Sequence, residues 1–353
     1  MRREIGSLLL GCCIVAAGAA VLSTGCSSES TNVSAQQACT DLAAARCQKM
    51  QQCNPQGLLN TYGDLSTCES TQSSTCTTNL SAPQTAQTPA HTEACAQALP
   101  GESCSDYLLG NVASACQPPA GPRAAGTACS VSAQCATAYC LIPRTAQCGT
   151  CEAAPGVSAS CSNNACGPGL LCDSATEQCV TPVAAGGSCA DSSVCTPGTT
   201  CIGNTPSTPG TCVAVADAVG ASCDLADGGT RCDGRQGLYC NVPLGRVCAR
   251  IANATVSQEC GTVDGGVIDC SAGGFCQKLG SDRSGTCIAP GGDGAACDTS
   301  VGPTCAAPAR CVRPGNAASG RSSIHAAAAE NRVQQNGARW RRTPCCVALR
   351  FQP

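Results

Sequence analysis

The sequence predicts small disulfide-rich repeats, built of short strands and turns with little core, preceded by a small disulfide-braced helical domain. Three observations predict it. Cysteine occurs 37 times in 353 residues, and about one residue in ten is the density of a disulfide scaffold. There are four tyrosines, two phenylalanines and one tryptophan, and 12% of residues are charged. So few large apolar side chains cannot form one extensive core, and order must come from cross-links within small units. Finally, cysteine and glycine recur at a regular interval through the second half of the chain. Together these exclude a dinucleotide-binding enzyme, a TIM barrel or a helical bundle of this length.

The net charge of −3 implies no nucleic-acid partner. So many thiols would be a reactive liability in a reducing compartment unless they held metal. Zinc is the competing explanation, but the chain has two histidines, His91 and His325, and one Cys-x2-Cys pair, Cys148 and Cys151. Zinc ribbons need two such pairs. Disulfides are therefore expected, with no metal and no cofactor.

The N-terminus reads as an export signal over residues 1–25. Met1-Arg2-Arg3 is positively charged, residues 5–22 are apolar apart from Ser7 and glycines, and Ser23-Thr24-Gly25 are small. A retained membrane-spanning helix is the alternative, but the stretch ends in small polar residues short of the usual span. Gly25-Cys26 resembles a bacterial lipoprotein processing site, with Leu22 one place early and Ser23 where the leucine usually stands. The resemblance implies acylation of Cys26, a lipid anchor in the membrane and, from Ser27, sorting to the outer membrane or cell surface. Plain secretion is the other outcome. Residues 26–38, rich in Ser, Thr, Asn and Gln, read as a flexible tether.

Residues 39–118 hold Cys39, Cys47, Cys53, Cys68, Cys76, Cys95, Cys104 and Cys116, with more Ala, Leu and Gln and less Gly than residues 119–311. Cys39, Leu42, Ala43, Arg46, Cys47, Met50 and Cys53 recur at helical steps. Cys68 and Cys76 repeat the spacing of Cys39 and Cys47, so two antiparallel helices stapled as Cys39–Cys76 and Cys47–Cys68 are a geometric expectation among 105 connectivities. Residues 119–128 read as a linker.

Tandem repeats are expected over 129–311. Their first cysteines fall at Cys129, Cys161, Cys189, Cys223, Cys260 and Cys297, at intervals of 32, 28, 34, 37 and 37. The members are Cys129, Cys135, Cys140 and Cys148, with Cys151 as an extra, then Cys161, Cys166, Cys172 and Cys179. Next come Cys189, Cys195, Cys201 and Cys212, then Cys223, Cys232, Cys240 and Cys248, then Cys260, Cys270, Cys276 and Cys287. The sixth unit stops at Cys297, Cys305 and Cys311, its fourth cysteine being due near residue 320. Gly169, Gly198, Gly237 and Gly273 precede the third cysteine by three places. Opening turns recur as Gly126-Thr127-Ala128-Cys129, Gly186-Gly187-Ser188-Cys189, Gly220-Ala221-Ser222-Cys223 and Gly294-Ala295-Ala296-Cys297. Glycine there allows a tight turn that brings neighbouring cysteines together. Two disulfides closing loops of ~15 residues, each worth roughly 3 kcal/mol, suffice to order a unit with almost no core.

Cys161 to Cys179, centred on Cys166-Gly167-Pro168-Gly169-Leu170-Leu171-Cys172, resembles the Dickkopf N-terminal cysteine-rich region. Tandem units behind a lipoprotein leader and a helical cysteine domain resemble cysteine-rich secreted lipoproteins of myxobacterial type. The resemblance covers about 129–311 and lies in cysteine and glycine spacing. It implies the fold; no receptor-contacting residue matches, so the Dickkopf activity is not carried over.

Residues 312–353 read as a basic, disordered tail: from Gly315 onward it carries Arg321, Arg332, Arg339, Arg341, Arg342 and Arg350 against the single acid Glu330, together with Trp340. Three readings stand: a natural tail touching anionic lipid, a shifted reading frame that replaced the end of the sixth repeat, or a plain disordered end. Cys345 or Cys346 would complete the bonding, since 34 cysteines follow Cys26.

Catalytic motifs are lacking. A Ser/His/Asp or Cys/His site needs a histidine base, and His91, the one in the body, reads as a solvated residue in a loop or helix start. Asp224 with Asp227 and Asp233, or Asp264 with Asp269, lie in Gly-rich turns without calcium-loop spacing. Phosphate-cradling Gly-x4-Gly-Lys is absent. The expected function is that of a non-catalytic surface lipoprotein whose stapled repeats bind or adhere to an extracellular protein or glycan. The alternative is a secreted hydrolase inhibitor.

Overall fold

The computed structural model describes residues 33–323 apart from 144, 145, 147, 162–165, 174, 175, 191–193, 206, 225–228, 299 and 313–318, with backbone alone for 319–323. The expected leader, Cys26, the tether up to residue 32, Asp227, His325, Trp340, Cys345 and Cys346 lie outside the described residues.

Five helices come first: α1 (Ala35–Cys53), α2 (Pro55–Tyr62), α3 (Leu65–Leu80), α4 (Pro89–Ala98) and α5 (Cys104–Leu108). Each starts on a side-chain cap that takes one orphan backbone donor. Ser34 accepts from the Gln37 N–H, Asp64 from Thr67, Thr88 from His91 and Ser103 from Asp106. Asn54 does two tasks. Its N–H donates to Met50 O to end α1, and its side chain accepts from the Gly57 N–H to begin α2, where Pro55 needs no partner. The Thr67 N–H also holds the Asp64 carboxyl below the usual carboxylate range. The expected tether therefore stops early: Ser34 caps α1 and Ala38 is fully buried on its inner face.

Both expected staples are present, Cys39–Cys76 and Cys47–Cys68, and they clamp α1 against α3 in antiparallel sense. Cys53–Cys104 and Cys95–Cys116 add α5 and the segment after it. The core is correspondingly small. Cys39, Leu42, Cys76, Cys95, Ala96 and Leu99 form one buried cluster, and Cys47, Leu58 and Cys68 another. The buried Lys49 ammonium is satisfied by Gln52 Oε1 at 3.2 Å and Pro100 O at 3.3 Å.

Six small sheets follow. The first unit has β1 (Ala128–Cys129), β2 (Cys140–Leu141) and β3 (Gly149–Cys151), in the order β1-β3-β2. The second pairs β4 (Leu171–Asp173) with β5 (Gln178–Val180). The third has β6 (Ser188–Cys189), β7 (Thr199–Ile202) and β8 (Gly210–Ala214), with β8 central. The fourth pairs β9 (Leu238–Asn241) with β10 (Val247–Arg250). The fifth is the largest, with β11 (Ala252–Ala254), β12 (Glu259–Val263), β13 (Gly266–Cys270), β14 (Phe275–Lys278) and β15 (Ser284–Ile288) in the order β11-β13-β12-β15-β14. The sixth has β16 (Ala296–Asp298), β17 (Arg310–Val312) and β18 (Ser319–Ser323), with β18 central.

One bonding rule governs the units. The first cysteine bonds the third and the second bonds the fourth in all of the first five. The third and fourth stand opposite each other in antiparallel register, as Cys140↔Cys151, Cys172↔Cys179, Cys201↔Cys212, Cys240↔Cys248 and Cys276↔Cys287. Their two bridges lie side by side and serve as the core of each unit.

The residue three places before the first cysteine clamps this arrangement. Gly126, Ser158, Gly186, Gly220 and Ser257 each donate a backbone hydrogen bond of 2.8 Å to the carbonyl of the fourth cysteine. All five have positive φ, the left-handed conformation that glycine enters without penalty, which explains the recurring opening glycine.

A second glycine rule emerges from the strand contacts. Gly-Thr-Cys ends the first, third and fifth units as Gly149-Thr150-Cys151, Gly210-Thr211-Cys212 and Gly285-Thr286-Cys287. A Cβ on these glycines would collide with the carbonyl oxygen of Leu141, Ile202 or Gln277 on the adjacent strand. Gly210→Ala is expected to push β8 off β7 and to cost about 1–3 kcal/mol, the usual penalty of overpacking. Faster protease cutting of the third unit at unchanged disulfide content would show it, and unaltered resistance would contradict it.

Two cysteine assignments are corrected. The fourth cysteine of the first unit is Cys151, bonded to Cys135, and not Cys148. Cys148 precedes β3 by one residue and enters neither bridge of the unit, because Cys151 is the residue in register with Cys140. In the sixth unit Cys297–Cys311 forms, but Cys305 is a free thiol with no partner among the described residues. The reason is the register: Cys311 stands opposite Ser322, and Cys297 opposite Gly320. Gly320-Arg321-Ser322 occupies the Gly-Thr-Cys position, so β18 closes the sheet inside the expected tail.

The array folds back on the helices. Gln56 Nε2 on α2 donates to Asn60 Oδ1 at 2.8 Å and to Asn253 Oδ1 on β11 at 2.9 Å. Asn60 Nδ2 donates to Asp269 Oδ2 at 3.1 Å, and the Ala272 and Gly273 N–H groups donate to Leu59 O and Asn60 O. The second unit touches the helices through the Gly169 N–H on Leu109 O. The expected linker is not loose either: the Gly121 N–H donates to Cys135 O and the Arg123 N–H to Gln134 O, both at 2.8 Å. Gln56→Ala removes this bond to the exposed Asn253 and is expected to cost about 0.5–1.5 kcal/mol. A loss of hydrogen-exchange protection at Ala272 and Gly273 would register it, whereas unchanged protection would show the junction to hang on backbone bonds alone.

Candidate functional site: a cleft between the helices and the first unit

The helical domain and the first unit enclose a cavity of about 290 Å³. Leu42 and Arg46 of α1, Gln87, and His91 and Thr92 of α4 line one side. Ser130, Val131, Ser132, Ala133 and Ile142 of the first unit line the other. The join between the two sides is made by hydrogen bonds. Gln134 Nε2 donates to Pro83 O at 2.8 Å, the Ala86 N–H to Ala133 O at 2.8 Å, and Arg123 Nε to Gln84 Oε1 at 3.1 Å. The disulfide-bonded Cys76, Cys95, Cys116 and Cys140 also line it.

Arg46 is half-buried on α1 and lines the cavity beside Leu42. Burial lowers its pKa from the ordinary arginine value, with the phenols of Tyr107 and Tyr62 acting in the opposite direction. The guanidinium nevertheless stays charged at neutral pH. Among the described residues it forms no ion pair, the two present being Arg235 with Asp233 and Arg246 with Asp224. Nearby, Tyr107 Oη donates to the Arg46 carbonyl at 3.3 Å, and burial raises the pKa of that phenol.

His91 stands in the first turn of α4, the helix start expected as one of its two places, and is half-buried in the cavity wall rather than solvated. Its bonding is determined by Thr92. The Thr92 hydroxyl spends its one proton on Thr88 O at 2.9 Å, so Gln87 Nε2, 3.0 Å from Thr92 Oγ1, must be the donor to it. The same Nε2 lies 3.1 Å from His91 Nδ1. Nδ1 therefore accepts, and the neutral ring carries its proton on Nε2.

The expected acidic clusters are used structurally. Asp233 caps a turn and pairs with Arg235 at 2.8 Å, Asp224 pairs with Arg246 at 3.3 Å, and Asp269 takes the Asn60 amide. Asp264 has positive φ, as turn aspartates do. Groups of three cysteine sulfurs within 4.8 Å of one another occur in each of the first five units. They belong to adjacent disulfides, which have no thiolate to give a metal. Arg46 and Gln87 belong to no motif that marks them as site residues in the sequence. The available signal is a charged residue at a core-facing position of the α1 periodicity.

No protein-family model, curated protein or solved structure matches this chain. The likeness to the Dickkopf region thus rests on cysteine and glycine spacing alone. Among the described residues, no helix is long and apolar enough to cross a membrane. The extensive disulfide framework is that of an extracellular or exported protein.

Proposed function

We propose that this chain is a non-catalytic exported binding protein, anchored through lipid on Cys26, whose stapled units present loops to an extracellular protein or glycan. The observation that carries this reading is the docking of the units onto the helices. Gln56 with Asn253, Asn60 with Asp269, and Gln134 with Pro83 tie distant units to one helical hub. Such a body presents loops at fixed positions and binds without a large ordering cost. The test is membrane extraction followed by intact mass and a free-thiol count, then binding of the oxidised protein to arrays of extracellular proteins and glycans. An acylated Cys26, few free thiols and binding that reduction abolishes are expected. An unmodified soluble chain with many free thiols, or no binding above the reduced control, overturns the reading.

One observation favours the alternative of a hydrolase inhibitor. Leu244 is 68% exposed at the tip of the β9–β10 hairpin, whose strands carry Cys240 and Cys248. An apolar side chain on a cross-linked tip suits a protease specificity pocket. Uniform lack of inhibition across a protease panel would remove this reading.

A further inference from the structure

We propose that the cleft between the helices and the first unit binds a carboxylate carried on a short apolar body, with the guanidinium of Arg46 as its counter-charge. The inference rests on the reading of the chain as a binding protein and names the ligand chemistry of this one site. A buried charge is ordinarily paired, because removal from water disfavours it strongly. Arg46 has no such partner among the described residues, although it lines a cavity. The planar guanidinium matches a carboxylate with two parallel hydrogen bonds.

The remaining lining fits the same class of ligand. On the polar side, Nε2–H of His91 is the ring's remaining donor once Nδ1 is engaged by Gln87. Apolar surface comes from Val131, Ala133 and Ile142 on the other side and from Leu42 beside Arg46. About 290 Å³ lies at the lower end of small-molecule sites. It accommodates one apolar side chain with its carboxylate. Two sources share this chemistry, a free small carboxylic acid and the C-terminal residue of a polypeptide.

The experiment titrates the full oxidised chain with N-acetyl-leucine, its amide, and an acetylated Ala-Ala-Leu peptide with a free C-terminus. The acid is expected to bind at least tenfold more tightly than the amide, and Arg46→Gln to erase that difference. Peptide tighter than acid assigns the site to polypeptide C-termini, and equal affinity assigns it to free acids. A second measurement needs no variant: the acid, and not the amide, should protect Arg46 from an arginine-selective dicarbonyl reagent, mapped by mass. Equal affinity for acid and amide in the wild type, or no protection of Arg46, overturns the proposal. Retained binding to an extracellular protein or glycan in that case would leave the broader reading standing.

Discussion

Ser322→Cys is expected to consume the free thiol of Cys305 and to give the sixth unit its second disulfide. Cys311 faces Ser322 in the same register that places Cys140 opposite Cys151 and Cys201 opposite Cys212. Cys305 is bridged to Gly291 in parallel, as Cys195 is to Val183 and Cys232 to Ala216. In the five complete units the second and fourth cysteines have Cα atoms 5.3, 5.6, 5.8, 5.7 and 5.6 Å apart, inside the range a disulfide accepts. The new loop is of the same size, worth about 3 kcal/mol in the chain-entropy model. Alkylation before reduction should label Cys305 in the wild type and leave it unlabelled in the variant, with slower proteolysis of the sixth unit. Full labelling of Cys305 in the oxidised variant would show that β18 is not held in this register.

Loss of the outer staple is expected to destabilise the helical domain strongly. Cys39 and Cys76 are 0% and 5% exposed and pack with Leu42, Cys95, Ala96 and Leu99. The inner bridge Cys47–Cys68 already closes the hairpin. The outer bridge therefore closes only the two arms beyond it, a ring of roughly 18 residues worth about 3 kcal/mol. Cys39→Ala with Cys76→Ala also leaves a void where two buried sulfurs packed, adding about 1 kcal/mol. For a domain of this size the helical signal should melt roughly 15 °C or more lower. A shift of only a few degrees would mean that the two antiparallel helices hold by packing alone.

The two staples of α1 and α3 are legible in the sequence because helical spacing fixes which cysteines share a face, and equal spacing on two helices allows a ladder. The opening turns are legible because glycine reports positive φ directly, at Gly126, Gly186, Gly220 and Gly294. Ser158 and Ser257 take the same conformation without a glycine to announce it, and their place emerges only with the fold. Spacing alone tolerates either Cys148 or Cys151 as the fourth member of the first unit. Strand register does not, since a shift changes every cross-strand partner.

Cysteine number, the scarcity of large apolar residues and the repeat interval are properties of the chain, and they suffice for the class of fold and for an exported setting. Pairing inside a unit and the docking of α2 on the fifth unit depend on residues far apart in sequence. Gln56 and Asn253 carry no pattern that announces their meeting. The cleft is of the same kind: Arg46 and Ile142 line it together because Gln134, Ala86 and Arg123 tie the first unit to the helices. Local spacing reports turns, helices and candidate bridges, whereas a site built across two modules exists once long-range hydrogen bonds have brought them together.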